Sequence, residues 1–160
     1  MRIKYFVARL VTRSQTLHLN GRIDDVFGLF DPIGEKKWSE GWNPAMVFPA
    51  SNICQGAVFV TRDHDRMETI WIITEFDEVK RSIAYTSVTP NLKVNHIVIN
   101  CESDLSDHTK ARVSYTITAL SEKGNRYIRS FSKQHYHEWM ADWEKAINHY
   151  FRYGHVLRHH

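Results

Sequence analysis

Several common chemistries find little to work with in this sequence. Its only two cysteines, Cys54 and Cys101, lie 47 positions apart with no CxxC spacing. Neither a disulfide framework nor a thiolate zinc site is expected from them, and a reducing, cytoplasmic location is. No stretch approaches the ~18 apolar residues needed to cross a bilayer. The opening Met1-Arg2-Ile3-Lys4 alternates polar with apolar at once and lacks a signal-peptide core, so no stable membrane insertion is expected. An excess of one charge is missing too: 21 Lys and Arg stand against 18 Asp and Glu along 160 residues, a formal charge of +3. There is no basic stripe with interleaved aromatics, the footprint of nucleic-acid binding, and no nucleic-acid partner is expected. GxSxG, Gly-rich phosphate loops and Cys–His arrangements are also missing, so nucleophilic catalysis and nucleotide hydrolysis have no local support and no cofactor is called for.

Ten histidines raise the question of metal. His135 and His137 are two apart, and on a helix such side chains diverge by about 200°, so they do not share an ion. His64, between Asp63 and Asp65, falls in a turn, and no metal site is expected. Glu68, Glu75 and Asp77 sit on or beside one strand, where carboxylates near a strand end are usually solvated, and Glu35 fits a cap or salt bridge on a short helix. The terminal His159-His160 pair is left out of the functional reading.

What the chain has is patterned apolar content: 42% hydrophobic and 12% aromatic residues against 24% charged, in a length suited to a single domain spanning 1–160. Residues 5–19 alternate as a long first strand and stop at Asn20-Gly21. Ile23, Val26, Phe27 and Phe30 follow at helical spacing, and Asp31-Pro32 opens a second short helix, with a capping carboxylate and a proline at the first helical position. Gly41 and Asn43-Pro44 end it. From 46 to 121 the pattern is strands at 46–49, 57–62, 67–76, 81–89, 92–102 and 110–120. Turn residues separate them, so they should pair antiparallel as a meander. The segment 124–154 carries Ile128, Phe131, His135, Trp139, Trp143, Ile147 and Tyr150 on one stripe, which predicts one long amphipathic helix ending at Gly154. No internal repeat or linker is visible.

This order of elements, with the run Val26-Phe27-Gly28-Leu29-Phe30-Asp31-Pro32-Ile33-Gly34-Glu35-Lys36-Lys37-Trp38-Ser39-Glu40-Gly41-Trp42-Asn43-Pro44, resembles the START-like or SRPBCC superfamily. Gly56-Ala57-Val58-Phe59, the strand Thr69 to Asp77 and the strand Tyr115 to Ser121 fit the same pattern. That superfamily includes lipid-transfer domains, polyketide cyclases and birch-pollen-type allergens. The resemblance covers nearly the whole chain but rests on structural aromatics and turns, not on catalytic motifs. It implies an α+β helix-grip fold: a curved seven-stranded antiparallel sheet, two short helices after strand 1, and a long C-terminal helix over the concave face.

A bent sheet gripping one helix tends to leave a cavity, and the function expected is binding of a mostly apolar small molecule that is lipid-like, aromatic or polyketide-like. Taking the apolar phase of each strand as inward puts Phe59, Trp71, Ile73, Tyr85, Ile97, Ile99, Tyr115 and Ile117 on the concave face. Phe27, Phe30, Trp38 and Trp42 come from the short helices, and Phe131, His135 and Trp139 from the long one. On the Trp71 strand the phase is ambiguous, because Ile70 and Ile72 are as apolar as their neighbours. All of these residues also serve as plain core. Tyr85, Tyr115 and His135 are the candidates for proton transfer should the protein be a cyclase or dehydratase. A third reading is a protein-interaction module resembling chaperone-ATPase activators. Monomer and homodimer are both open.

Overall fold

The structure, a computed structural model, describes residues 6–159; the first residue of the predicted first strand, Tyr5, and the last histidine lie outside them. Seven strands form one antiparallel sheet: β1 (Leu10–Leu19), β2 (Ala45–Phe48), β3 (Val58–Arg62), β4 (Glu68–Asp77), β5 (Ser82–Thr89), β6 (Lys93–Asp104) and β7 (His108–Ala119). Their order is β1-β7-β6-β5-β4-β3-β2. Strands β2 to β7 form the expected meander, and β1 returns to pair with β7 from Leu10↔Thr118 to Leu19↔Thr109. Helices α1 (Ile23–Phe27), α2 (Glu122–Ser130) and α3 (Lys133–Tyr153) complete the fold. It is the α+β helix-grip arrangement that the element order implies.

Two helical expectations need correction. The first concerns the pair after β1. Helix α1 ends at Phe27, and the second helix is only a 3₁₀ turn, Gly34–Lys37. Asp31 does act as a cap, its Oδ1 accepting from the N–H groups of Ile33 (2.9 Å) and Gly34 (2.7 Å). The remainder of the loop is fixed by aromatic side chains instead: Trp38 Nε1 donates to the Leu29 carbonyl (2.7 Å) and Trp42 Nε1 to the Pro32 carbonyl (2.8 Å). A chain tied at these points has no need of a helical ladder to satisfy its carbonyls.

The second correction is that 124–154 is not one helix. Phe131 leaves helical geometry with ψ 63, and Ser132 caps a new helix by accepting from His135 N–H (3.0 Å). The Phe131 carbonyl freed at the break accepts from Arg13 Nε and Nη2 on β1, both at 3.2 Å. Such a charge-assisted pair offsets the lost helical bond. Helix α3 then runs 21 residues, roughly 31 Å at 1.5 Å per residue, to Gly154 in the left-handed region at φ 77.

Cross-strand rows describe the concave face. Cys101 on β6, Ala111 on β7 and Leu17 on β1 form one row, with Ile83, Ile99 and Val113 in the next. Helix α1 packs against β6 and β7 at this end, and a buried hydrogen bond from Thr109 Oγ1 to the Gly21 carbonyl (2.8 Å) fixes its start there. Val26, Met140 and Ile147 have no exposed surface, so the core is solid at this end. A bulge at Thr74 resets the phase of β4: Trp71 and Ile73 point inward before it and Phe76 after it, where Phe76 stacks on Phe27. Ile70 and Ile72 face out, which resolves the ambiguity in favour of Trp71.

Gly34 lies against the end of α1, and a Cβ there would sit 1.8 Å from the Gly28 carbonyl oxygen. Gly34→Ala is therefore expected to destabilise the fold by about 3 kcal/mol or more. Gly28→Ala, where a Cβ meets nothing within 4 Å and φ is −65, should be neutral or slightly stabilising. Denaturant unfolding of the two variants checks the contrast.

Candidate functional site

Beyond the solid end, the concave face runs through three further rows. Ile73, Tyr85, Ile97 and Tyr115 form the first; Phe59, Trp71, Ser87, Asn95 and Ile117 the second; Thr89, Lys93 and Ala119 the third. The rows grade from apolar to polar along β6, because Ile99, Ile97, Asn95 and Lys93 alternate on one face. Over these rows the helices do not fill the space, and a hollow of about 310 Å³ remains. Nine of its eighteen lining residues are aromatic, so its walls are flat rigid surfaces suited to a planar molecule.

Ten of the sequence-predicted residues line it: Trp42, Phe59, Trp71, Tyr85, Ile97, Ile99, Tyr115, Ile117, Phe131 and Trp139. Trp71 stacks on Phe59 with ring centres 5.5 Å apart, and Trp42 closes over both edge-on. On the other wall Trp139 meets Tyr115 at 5.0 Å and Trp143 at 5.3 Å. The other five lie elsewhere. Phe27, Phe30, Trp38 and Ile73 are core: Phe27 stacks on Phe76, Phe30 meets Trp38 edge-on, Trp38 backs Trp143, and Ile73 is fully buried.

His135 is exposed in the first turn of α3 and does not reach the hollow. The break at Phe131 resets the helical phase, so Tyr136 takes the inward position and donates to the Val113 carbonyl at 2.6 Å. Tyr85 donates to the Phe30 carbonyl at 2.5 Å, which commits its proton to holding the loop. Of the three proton-transfer candidates, Tyr115 alone lines the hollow with a hydroxyl that, among the described residues, has no hydrogen-bond partner.

The polar residues of the wall are those that sequence reasoning missed: Glu35, Ser39, Thr69, Thr89, Lys93 and Asn95. Glu35 sits on the 3₁₀ turn, not at a solvated helix end, and makes no ion pair among the described residues. It is half-buried and lines the hollow. Burial, reinforced by the Asp31 carboxylate, pushes its carboxyl up to about 8. At neutral pH it is mostly an uncharged acid.

Asp31 is also held above the ordinary carboxylate range by burial, which outweighs its two backbone hydrogen bonds and Lys37. Burial and the nearness of Glu35 raise both Tyr85 and Tyr115 well above the usual phenol range, and all three line the hollow. At the polar end the Lys93 ammonium lies 4.5 Å from the centre of the Tyr127 ring, and burial lowers it to about 8. Thr69 and Thr89 bond each other at 2.7 Å, while the Oδ1 of buried Asn95 has no donor.

Among the described residues no group of three or more His, Cys, Asp or Glu side chains is gathered to hold a metal ion. No described helix is long and apolar enough to cross a membrane.

No family model matches the chain, and no curated protein does. Solved structures do. Norcoclaurine synthase from Thalictrum flavum superposes with a TM-score of 0.64 at 10% identity, covering 91% of this chain and 88% of its own. A protein from Thermobifida fusca gives 0.62 at 17% identity over 93% and 99%. Ara h 8.0201 gives 0.60 at 15% identity over 89% and 97%. The chain shares the helix-grip fold of these structures. At these identities the likeness is one of fold, and the site chemistry has to be argued from the residues present.

Because Glu35 is ordinarily ionised above about 4.5 but here only above about 8, it favours the folded state fully below the lower value. That contribution is lost as pH rises through the upper one. Glu35→Gln should match the native protein in stability near pH 4.5 and exceed it above pH 8. The full shift is worth about 5 kcal/mol at 1.36 per pH unit; water in the hollow screens part of it, so roughly 1–3 kcal/mol is expected. Denaturant titrations at four pH values check this. Parallel curves for the two proteins would show Glu35 to be solvated.

Proposed function

We propose that the chain binds a compact, largely apolar and aromatic small molecule in the hollow between the sheet and helices α2 and α3. The observation that carries this reading is the hollow itself, about 310 Å³ walled half by aromatics. That is near the lower end of the ~300–1,000 Å³ typical of small-molecule sites. An unfilled apolar space costs stability relative to a packed one, and a ligand recovers the lost contacts. At about 25 cal/mol per Å², removing ~300 Å² of ligand surface from water contributes about 7 kcal/mol before association costs, enough for micromolar binding. One of the similar structures, norcoclaurine synthase, is described in complex with dopamine and hydroxybenzaldehyde, two small aromatic molecules. At 10% identity this is support by analogy. The open interior also favours a ligand site over a protein-interaction module with a collapsed centre.

A second reading, an enzyme of cyclase or dehydratase type, is favoured by one observation: an uncharged carboxylic acid, Glu35, near a free phenol, Tyr115. A neutral acid with a value near the working pH is suited to lend a proton to a ligand oxygen and take one back. In that reading Tyr115 orients the oxygen, and neither Tyr85 nor His135 takes part.

Titration with N-phenyl-1-naphthylamine, a neutral probe that brightens in apolar surroundings, tests the binding reading. One equivalent should bind with a micromolar Kd and quench tryptophan fluorescence. Native mass spectrometry of freshly purified protein should also reveal any companion molecule. For an oxygen-bearing ligand so found, Tyr115→Phe should weaken binding two- to tenfold, the worth of one neutral hydrogen bond. A protein that stays empty and takes up no probe would overturn the proposal. Loss of turnover with affinity kept would select the enzyme reading.

A further inference from the structure

The hollow holds one cation and one carboxyl, and they do not pair. Among the described residues the ion pairs are Arg62–Glu68, Arg81–Asp24 and Lys110–Asp104, all away from it. Lys93 points inward in phase with Asn95, Ile97 and Ile99. Its ammonium is held against the Tyr127 ring, with no carboxylate within ion-pair distance among the described residues. Glu35 lines the same hollow as Tyr85, Ile97 and Tyr115. Ile97 is four positions along β6 from Lys93, roughly 13 Å at about 3.3 Å per residue. Between the two ends stands Asn95, lining the hollow with a side-chain amide whose Nδ2, a donor, makes no hydrogen bond among the described residues.

We propose that the ligand is an aromatic organic acid bound end-on, its anionic group at Lys93 and Asn95, its ring between the aromatic walls, and a hydroxyl or carbonyl at Glu35 and Tyr115. The proposal rests on the binding reading above and adds a class and a direction to it.

The charge balance of the wall supports the choice of an acid over an amine. At neutral pH Lys93 is mostly a cation and Glu35 mostly neutral. The groups facing them leave that balance in place: Tyr127, Tyr85 and Tyr115 are all raised above the usual phenol value, so they stay uncharged. Asp31 is the remaining carboxylate beside Glu35, and its Oδ1 is engaged by the N–H groups of Ile33 and Gly34. An anion therefore meets a net attractive field at the Lys93 end. In a partly dry site that attraction is stronger than it would be in water. As pH rises through about 8, Lys93 loses its charge while Glu35 gains one, so the preference for anions should vanish.

Displacement of N-phenyl-1-naphthylamine from the full chain by 2-naphthoic acid and by 2-naphthalenemethanol tests this, since the two differ only in the acid. At pH 7 the acid should compete at least fivefold better than the alcohol. The ratio should fall to about one in Lys93→Met, persist in Lys93→Arg, and fall toward one in the native protein at pH 9.5. Equal competition by acid and alcohol at pH 7, or an acid preference unchanged in Lys93→Met, would overturn the proposal while leaving the binding reading standing. Failure of the neutral probe itself to bind would instead remove the binding reading. Circular dichroism of each variant separates loss of fold from loss of preference.

Discussion

The hollow exists because an irregular loop is pinned across one end of it by side chains that bond main-chain carbonyls. Residues 28–42 contain a single 3₁₀ turn and no other regular structure. Three aromatic donors hold them: Trp38 to Leu29, Trp42 to Pro32, and Tyr85, reaching up from the sheet, to Phe30. Two of the three bonds are buried, where each is worth most and where an orphaned carbonyl would cost most. Their joint effect is to hold the short turn so that Glu35 joins Tyr85, Ile97 and Tyr115 in the wall of the hollow. The aromatic residues here are therefore as much polar struts as hydrophobic filling. Without them the carboxyl would swing into solvent and ionise.

That placement explains how a pocket can hold two ionisable side chains at modest cost. A buried charge without a partner is expensive, and proteins usually answer by pairing it or by neutralising it. Glu35 is neutralised by its surroundings, its affinity for a proton raised by burial and by Asp31. Lys93 takes a different course, keeping its charge against the face of Tyr127 near the polar threonine row. Had the two approached within 4 Å they would have formed a salt bridge and closed the hollow to any polar ligand group. No such pair forms among the described residues, and both ends stay open.

The strands were legible in the sequence because each has one buried and one solvated face, so alternation survives in the residue pattern. The inward phase of β5, β6 and β7 follows from Tyr85, Ile97, Ile99, Tyr115 and Ile117 alone. What alternation does not reveal is a bulge: Thr74 shifts β4 by one and turns Phe76 inward. The helix break was hidden for a related reason. An apolar stripe runs on through Phe131 toward Trp139, and the signal against continuity was a capping serine, Ser132, flanked by good helix formers. Reading through it assigned His135 an inward position that belongs to Tyr136. Lys93 was missed although it is in phase with Ile97 and Ile99, because lysine at a strand end is ordinarily on the surface. Glu35 carried no local signal at all. Its burial follows from how its loop is anchored, by Trp38 and Trp42 within the loop and by Tyr85 from β5.

The division of the concave face into a solid half and a hollow half follows from the same geometry. Where α1 lies over β6 and β7, side chains from the sheet and from α1 and α3 meet, and Val26, Val113, Met140 and Ile147 leave no gap. Toward Lys93 that helix is gone and only the loop, α2 and the front of α3 remain, spanned by wide aromatic rings that touch edge-on. Rings in T-shaped contact brace one another from the sides and do not need a filling to stay in place. A hollow keeps its shape where its walls cannot shift to fill it. This one is held open by stacked and edge-on aromatics whose N–H and O–H groups are themselves anchored, Trp71 to Thr61, Trp42 to Pro32 and Tyr85 to Phe30. Close packing is concentrated in one half of the concave face, and the other half is left as a preorganised wall of rings.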